Sequence, residues 1–314
     1  MTAAPFRVAV VMPLFDKAEY AAEAIDSVLA QTLAPLDVVI VDDGSTDGGP
    51  EAVERRFGEQ VRLLRQPNAG PGPARNRGVA ATDADWIAFI DADDKWSRDH
   101  LATLAEVAYA FPDADLIATG HRRFCGGQTL TTDRSPVAAR KINYFQEARV
   151  GEPVWTSACA VRRSAFEAIG GFGAFCPGED VDLWVSLALK GDVARSDRVT
   201  AHYRQDTGGE MDQLGCRPVD KQEQPVFDRF ATALADPGLA DRHAAIRALR
   251  DQWRRNAIRQ RLVAGDREGA RRLIALAARR GTATGRSEQV LALLPGRMTG
   301  AILALRGALR RGPH

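Results

Sequence analysis

Two clusters of carboxylates stand directly behind apolar runs. "DDGSTD", Asp42 to Asp47, follows "LDVVIV", and "DADD", Asp91 to Asp94, follows "DWIAFI". Short apolar runs bounded by turn residues predict buried strands, which puts each cluster at a strand's carboxyl end. Adjacent strands would bring both clusters to one rim, where like charges repel unless something positive lies between them. A divalent cation carrying a phosphorylated ligand supplies that charge, and oxygen-only ligation suits Mg2+ or Mn2+. Taken singly, "DDGSTD" also reads as an ordinary turn after a strand. The two clusters together favour the chemical reading.

Glu179 and Asp180 open a third segment, "EDVDLWVSLALKG". Val181, Trp184, Val185 and Leu187 are spaced there for a helix packed on a sheet, and Gly191 ends it. Acidic residues in a first turn also complement the helix dipole.

The elements that must position these groups follow from the pattern around them. "RVAVVMPLF" predicts a buried strand, and "DKAEYAAEAIDSVLAQ" a helix with Asp16 and Glu19 in capping-box spacing. "GPEAVERRF" reads as a short helix, "VRLLRQ" as an edge-like strand and "GPARNRGVAATD" as a helix. Such alternation implies a largely parallel sheet with helices on its faces, whose ligands bind beyond the strands' carboxyl ends. Arg75, near the start of the third helix, could meet a phosphate or anchor the aspartates. Further on, "DLIATG" predicts a strand, "RRFCGGQTLTTDRSP" a loop, and "VWTSACAVRRSAFEAIGGF" a strand and a short helix stopped by a glycine pair.

With 314 residues, 45% of them hydrophobic, the chain can bury a large core. Its four cysteines lack metal-like spacing and "MTAAPFRVAV" has no signal-peptide pattern, so the expectation is a reduced, cytoplasmic protein. No run of about 18 or more apolar residues is present to span a bilayer. Charge is uneven: residues 241–314 hold 17 Arg against 5 Asp or Glu, which leaves the rest of the chain acidic. That tail reads as helical, with an αα-hairpin turning at Gly265 and Asp266. In its last segment Met298, Ile302, Leu305 and Leu309 share a face flanked by Arg306 and Arg310. This fits a helix lying on the inner face of an anionic membrane, or equally a surface helix packed on the domain. A single aromatic, Trp253, among the arginines offers no stacking platform, so no nucleic-acid partner is expected.

"VAVVMPLFDKAEYAAEAIDSVLAQTLAPLDVVIVDDGSTDGGPEAV", followed by "NAGPGPARNRGVAATDADWIAFIDADD", resembles the nucleotide-binding half of a family 2 inverting glycosyltransferase of the GT-A fold. The likeness runs from about residue 7 to 98 and resumes at "GGFGAFCPGEDVDLW". It implies an α/β fold with a Rossmann-like, mostly parallel central sheet flanked by helices and a helical C-terminal extension. On that basis residues 1–222 form the transferase domain, 1–120 its nucleotide-binding half and 121–222 its acceptor-binding half, and 223–314 form the basic helical region.

The resemblance also implies roles. Pro13, Phe15 and Asp16 lie where the donor base packs, and Asp42 and Asp43 where base and ribose are held. Asn68, Gly70 and Arg75 belong to the glycine-containing turn near the donor. "DAD" matches the DxD motif: Asp91 faces the ribose or a metal-bound water, Ala92 stands between, and Asp93 binds the Mn2+ or Mg2+ that bridges the donor's phosphates. Asp180 is the implied general base, with Glu179 and Trp184 on the acceptor side. The family's Y-R-x-H segment departs here to "HYRQDTGGE", leaving open whether His202 or Asp206 contacts the metal. The polar stretch that follows reads as a loop able to close on bound donor. "DQWRRN" lacks the Q-x-x-R-W spacing of processive members, which favours single addition. Implied partners are a nucleotide-sugar donor, a UDP-sugar before others, and a glycan or lipid-linked acceptor in cell-surface polysaccharide synthesis. Two other readings compete. A nucleotidyltransferase would need a glycine-rich phosphate loop, and "VVMPLFDKAEY" has no glycine; a noncatalytic nucleotide-sugar scaffold would have no need of Asp93 and Asp180.

Overall fold

The computed structural model describes residues 5–126, 131, 133–175, 178–207 and 225–279. The chain divides into two compact units, residues 1–209 and 210–314.

The first unit begins with β1 (Val8–Leu14), α1 (Ala18–Leu29), β2 (Asp37–Asp42), α2 (Gly49–Phe57), β3 (Arg62–Arg65), α3 (Pro71–Ala80), β4 (Trp86–Phe89), β5 (Lys95–Trp96) and α4 (His100–Ala110). It continues through β6 (Ala114–Phe124), β7 (Ala139–Ile142), α5 (Tyr144–Glu147), a 3-10 turn (Thr156–Ala158), β8 (Cys159–Arg162), α6 (Arg163–Ile169), α7 (Glu179–Lys190) and β9 (Asp192–Arg204). The nine strands among the described residues join one sheet in the order β3-β2-β1-β4-β8-β6-β9-β5, with β7 paired to β9. The α/β architecture of the GT-A type, expected from the resemblance, is observed.

Register explains how the acidic clusters meet. β1 pairs parallel with β2 through Leu14 opposite Asp42, and with β4 through Val11 opposite Phe89. The three strands therefore end at one rim, with Asp42 at the close of β2 and Asp91 two residues past β4. β1 and β4 are nearly continuous apolar runs because both of their faces are covered. On one face α1 contributes Ala21, Ala24, Ile25 and Val28 to the main core. On the other, α3 approaches β1 so closely that a Cβ on Gly78 would stand 2.4 Å from Val11 Cγ1.

The parallel run is interrupted after β4. β8 runs antiparallel to both β4 and β6, and β6 pairs parallel with β9. The segment expected as a loop after "DLIATG" begins as strand, since β6 continues to Phe124 beside β9. The glycine pair after α6 does stop that helix, with both Gly170 and Gly171 at positive φ.

The expected capping box at α1 does not form. Asp16 adopts φ 47 and its Oδ1 accepts from the Thr46 N–H at 2.7 Å, while Asp47 Oδ2 accepts from the Ala18 N–H at 2.7 Å. The "STD" half of the β2 loop therefore caps the helix that follows β1.

In the second unit, helices span Pro225–Ala235, His243–Val263 and Arg267–Arg279. The last two turn at Gly265, φ 79, and Asp266, whose side chain accepts from the Gly269 N–H, around a small core of Ala257, Ile258, Leu262, Ala270 and Leu273. Among the described residues no helix is long and apolar enough to cross a membrane. The expected closing loop falls mostly on residues 208–224, and the amphipathic segment from Met298 to Arg310 wholly on residues past 279; both lie outside the described residues.

Candidate active site

Arg75 is the centre of the site. Only 5% exposed, it donates through Nη2 to Asp91 Oδ1 at 2.7 Å and through Nη1 to Glu179 Oε1 at 3.0 Å. Burial opposes its charge, but the carboxylates of Asp91 and Glu179 outweigh burial and hold the guanidinium above its ordinary range. Burial also raises Glu179, with Arg75 pulling the other way and the neighbouring Asp180 charge adding to the rise. Of the two uses open to Arg75 from sequence, the geometry displays anchoring: one side chain ties Asp91 to the first turn of α7.

The 3-10 turn Thr156–Ala158 completes this connection. Thr156 Oγ1 donates to Asp180 Oδ2 at 3.3 Å, and Ser157 Oγ accepts from the Asp91 N–H at 3.0 Å. The turn is fixed in its own right, since Trp96 Nε1 donates to the Ser157 carbonyl at 2.6 Å. Asp180 itself is only partly buried, at the N-terminal turn of α7 where the helix dipole favours a carboxylate. Neither Thr156 nor Ser157 stands out in the sequence, for two small polar residues before a strand carry no spacing signal.

Asp93 faces the rim at 16% side-chain exposure, 2.8 Å from Lys17 Nζ. Behind it Arg204 is nearly buried. Its Nε donates to the Asp93 carbonyl at 3.1 Å, its backbone N–H to Asp94 Oδ1 at 3.0 Å, and its guanidinium pairs with Glu23. Burial drives Asp94 well above the ordinary carboxylate range, with the charges of Asp91 and Asp93 adding to the effect. The turn that presents Asp93 is thus clamped from below.

The remaining expected residues divide by exposure. Phe15, Asp16 and Asn68 are exposed and Pro13 is half-buried, all around the rim. Gly70 holds φ 91 at the entrance of α3, a conformation glycine adopts without strain. Ala92 is buried between the two aspartates of "DAD". Asp42 is buried and its Oδ1 accepts from the Ser45 N–H at 2.9 Å.

Two of the expected residues are turned inward. Asp43, expected at the base or ribose, is 3% exposed, and its carboxylate is taken up by Gln66 Nε2 at 2.7 Å and the N–H groups of Ala69 and Gly70 at 2.9 and 2.8 Å. It shapes the loop into α3. Trp184, expected on the acceptor side, is 1% exposed and packs edge-on against Phe172, because the apolar face of α7 turns it into the core. His202 is also turned inward: its Nε2 lies 3.0 Å from Ser97 Oγ, and burial lowers its pKa, with the charges of Arg122 and Lys95 adding. Asp206 Oδ2 accepts from the Gly126 N–H at 2.5 Å. Neither is in contact with Asp93 in these interactions.

Among the described residues no group of three His, Cys, Asp or Glu side chains could by itself hold a metal ion. The donor chemistry still fits a hard cation that takes most of its oxygens from a ligand. Asp93 is a carboxylate at the rim already facing one positive charge, and magnesium-type sites commonly use one or two carboxylates plus phosphates.

The family model described as "Glycosyl transferase family 2" matches residues 9–170. An uncharacterized glycosyltransferase of Nostoc sp. is 33% identical over 141 residues, 44% of this chain and 43% of that protein. The succinoglycan biosynthesis protein ExoW of Rhizobium meliloti is 38% identical over 117 residues, 35% of this chain and 36% of that one. In each case the match spans less than half of the relative's length. Among solved structures, S. aureus TarS 1-349 in complex with UDP-GlcNAc aligns over 95% of this chain and 89% of that one, with TM-score 0.64 and 19% identity. A mannosyltransferase of Pyrobaculum calidifontis in complex with GDP-Man and Mn2+ aligns over 95% and 84%, with TM-score 0.54 and 21% identity. At such identities the likeness concerns the fold.

Proposed function

The chain belongs to glycosyl transferase family 2, and on that premise we propose that it moves one sugar from a nucleotide-sugar donor to a hydroxyl of a glycan or lipid-linked acceptor, with inversion at the anomeric carbon. The observation that supports this reading is the Arg75 bridge, which joins Asp91, on the proposed donor side, to the turn bearing Asp180, the proposed base.

Asp180 is the proposed general base. Its Oδ2, aligned by the Thr156 hydroxyl, takes the proton of the acceptor hydroxyl while that oxygen bonds to the anomeric carbon. The bond from that carbon to the donor phosphate breaks on the opposite side, releasing a nucleoside diphosphate. Asp93 is the residue that would hold Mn2+ or Mg2+ together with donor phosphate oxygens, and a cation bound there supplies charge neutralisation for the departing diphosphate. Pro13, Phe15, Asp16 and Asp42 form the proposed base and ribose side of the rim, with Asn68 and Gly70 next to the phosphates and Arg75 behind them, holding Asp91.

UDP-GlcNAc in TarS and GDP-Man in the Pyrobaculum enzyme support a nucleotide-sugar donor, and the relation to ExoW supports polysaccharide synthesis. A UDP-sugar is the first donor to test, with a hexosyl or N-acetylhexosaminyl group. The arginine surplus of residues 241–314 supports a place at the inner face of an anionic membrane, where a lipid-linked acceptor would be presented. A thermal-shift screen of UDP- and GDP-sugars with and without Mn2+, followed by an assay for released nucleoside diphosphate, tests the proposal. Stabilisation without turnover would leave a noncatalytic scaffold, and neither would overturn the reading.

A further inference from the structure

β6 and β9 run side by side to their carboxyl ends, where Arg123 is opposite Tyr203 and His121 opposite Ala201. Alternation along the strands puts His121, Arg123 and Tyr203 on one face of this ribbon. Trp155, the residue before the 3-10 turn, joins that face: its ring stacks on His121 at 5.3 Å and meets Tyr203 at 4.5 Å. Arg123 lies over the Tyr203 ring, and Glu152 receives both His121 and Arg123. The next residue along the chain is Thr156, which holds Asp180. A wall of rings and paired charges thus begins one residue from the group that orients the proposed base.

The chemistry of the wall narrows its ligand. Its rings offer π faces that attract the slightly positive C–H face of a pyranose, while the carboxylate of Glu152 and the guanidinium of Arg123 offer planar acceptors and donors suited to hydroxyls. The Glu152 charge repels phosphate, so a diphosphate does not suit this face; hydrogen bonding to His121 and the nearby Arg123 charge keep that carboxyl below its ordinary range. Trp155 adds an indole N–H that is buried and has no hydrogen-bond partner among the described residues.

We propose that Trp155, Tyr203 and His121, with Arg123 and Glu152, form the subsite that seats a neutral pyranose ring of the acceptor, presenting its hydroxyl to Asp180. This rests on the transferase reading above and names the acceptor side of that site as a glycan ring.

The test is saturation-transfer NMR on the full chain with UDP and Mn2+, using methyl β-glucoside, methyl β-galactoside and methyl β-N-acetylglucosaminide at millimolar concentration as probes. Transfer to the ring protons of at least one glycoside is expected. Trp155→Ala should weaken that binding about five- to tenfold, while UDP affinity measured by calorimetry stays at the wild-type value. Glu152→Gln, at a half-exposed position, should weaken it in the same direction and decides the matter if Trp155→Ala fails to fold. Failure of all three glycosides to bind a chain that binds UDP overturns the subsite, as does undiminished glycoside binding in a folded Trp155→Ala or in Glu152→Gln. Absence of any nucleotide or nucleotide-sugar binding would instead overturn the transferase reading.

Discussion

The Nζ of Lys17 lies 2.8 Å from the Asp93 carboxylate, so the aspartate proposed to receive a divalent cation already faces an ammonium group carried at the start of α1. Both side chains are mostly buried, which makes the pair stronger than a surface contact but still exchangeable. Asp93→Asn is expected to abolish Mn2+-dependent binding of UDP or GDP. Lys17→Gln, by removing a competitor, should lower the Mn2+ concentration at half-saturation by about two- to fivefold. Calorimetry with nucleotide held constant reads both. An unchanged or raised Mn2+ requirement in Lys17→Gln would mean that the ammonium serves the diphosphate and does not compete with the cation.

The proposed base separates binding from transfer. Asp180→Asn should retain donor affinity and lose on the order of 10² to 10⁴ in transfer rate. Thr156→Val, which removes only the orienting hydroxyl, should lose less. Transfer by Asp180→Asn within a few-fold of wild type would move the role to Glu179 or Asp182.

Arg75 holds two carboxylates, and Glu179 is nearly as buried as Arg75 itself. Arg75→Met leaves that carboxylate without its cation and should cost about 3 to 5 kcal/mol of stability in urea denaturation. Pairing it with Glu179→Gln should recover part of the loss. A cost below about 1 kcal/mol would show that the bridge does not hold the two elements together.

Two buried histidines set a pH limit on the fold. Burial, with the His202 charge adding to it, lowers His100 from 6.5 to about 3, and burial likewise lowers His202. The unfolded chain therefore binds more protons below pH 6.5, so stability is complete above that value and is lost as pH falls through it. For His100 the loss at pH 5 is about 2 kcal/mol. The stability difference between wild type and His100→Asn, measured by urea titration at pH 7.5 and pH 5, should narrow by that amount. A pH-independent difference would place a protonated imidazole in the folded state.

The basic tail carries the membrane proposal. Each arginine near an anionic surface contributes roughly 1 kcal/mol. The full chain should therefore sediment with anionic vesicles at low salt and be released at high salt, and deletion of residues 297–314 should weaken the association while leaving donor binding intact. A chain that stays in the supernatant at low salt would remove the main support for a lipid-linked acceptor.

What could be read from sequence follows from how local each signal is. The strand ends carrying Asp42 and Asp91 were legible because their apolar runs are buried on both faces and end abruptly in carboxylates. The first turn of α7 was legible for the same reason in helical period. Thr156 and Ser157 were not, because their importance lies in partners 24 and 66 residues away. Lys17 was hidden likewise, paired across 76 residues of chain. The burial of Trp184 was legible as well: the spacing that put Val185 and Leu187 on a packed face put the indole there too. At Asp16 local spacing misled, since the residue adopts a left-handed conformation and Asp47 caps in its place.

Where α3 meets the segment after α6, the chain has no room left. A Cβ on Gly72 would lie 2.3 Å from the Gly173 carbonyl oxygen and 3.4 Å from Glu179 Cγ. Backbone already rests on backbone there, beside the Arg75 bridge, so the nucleotide side and the base side meet at a hard stop. The contact acts like the fixed jaw of a caliper: α3 and the segment bearing Gly173 cannot be brought closer at that point. On the proposed reading, fit to a different donor would come from the side chains and loops around the rim.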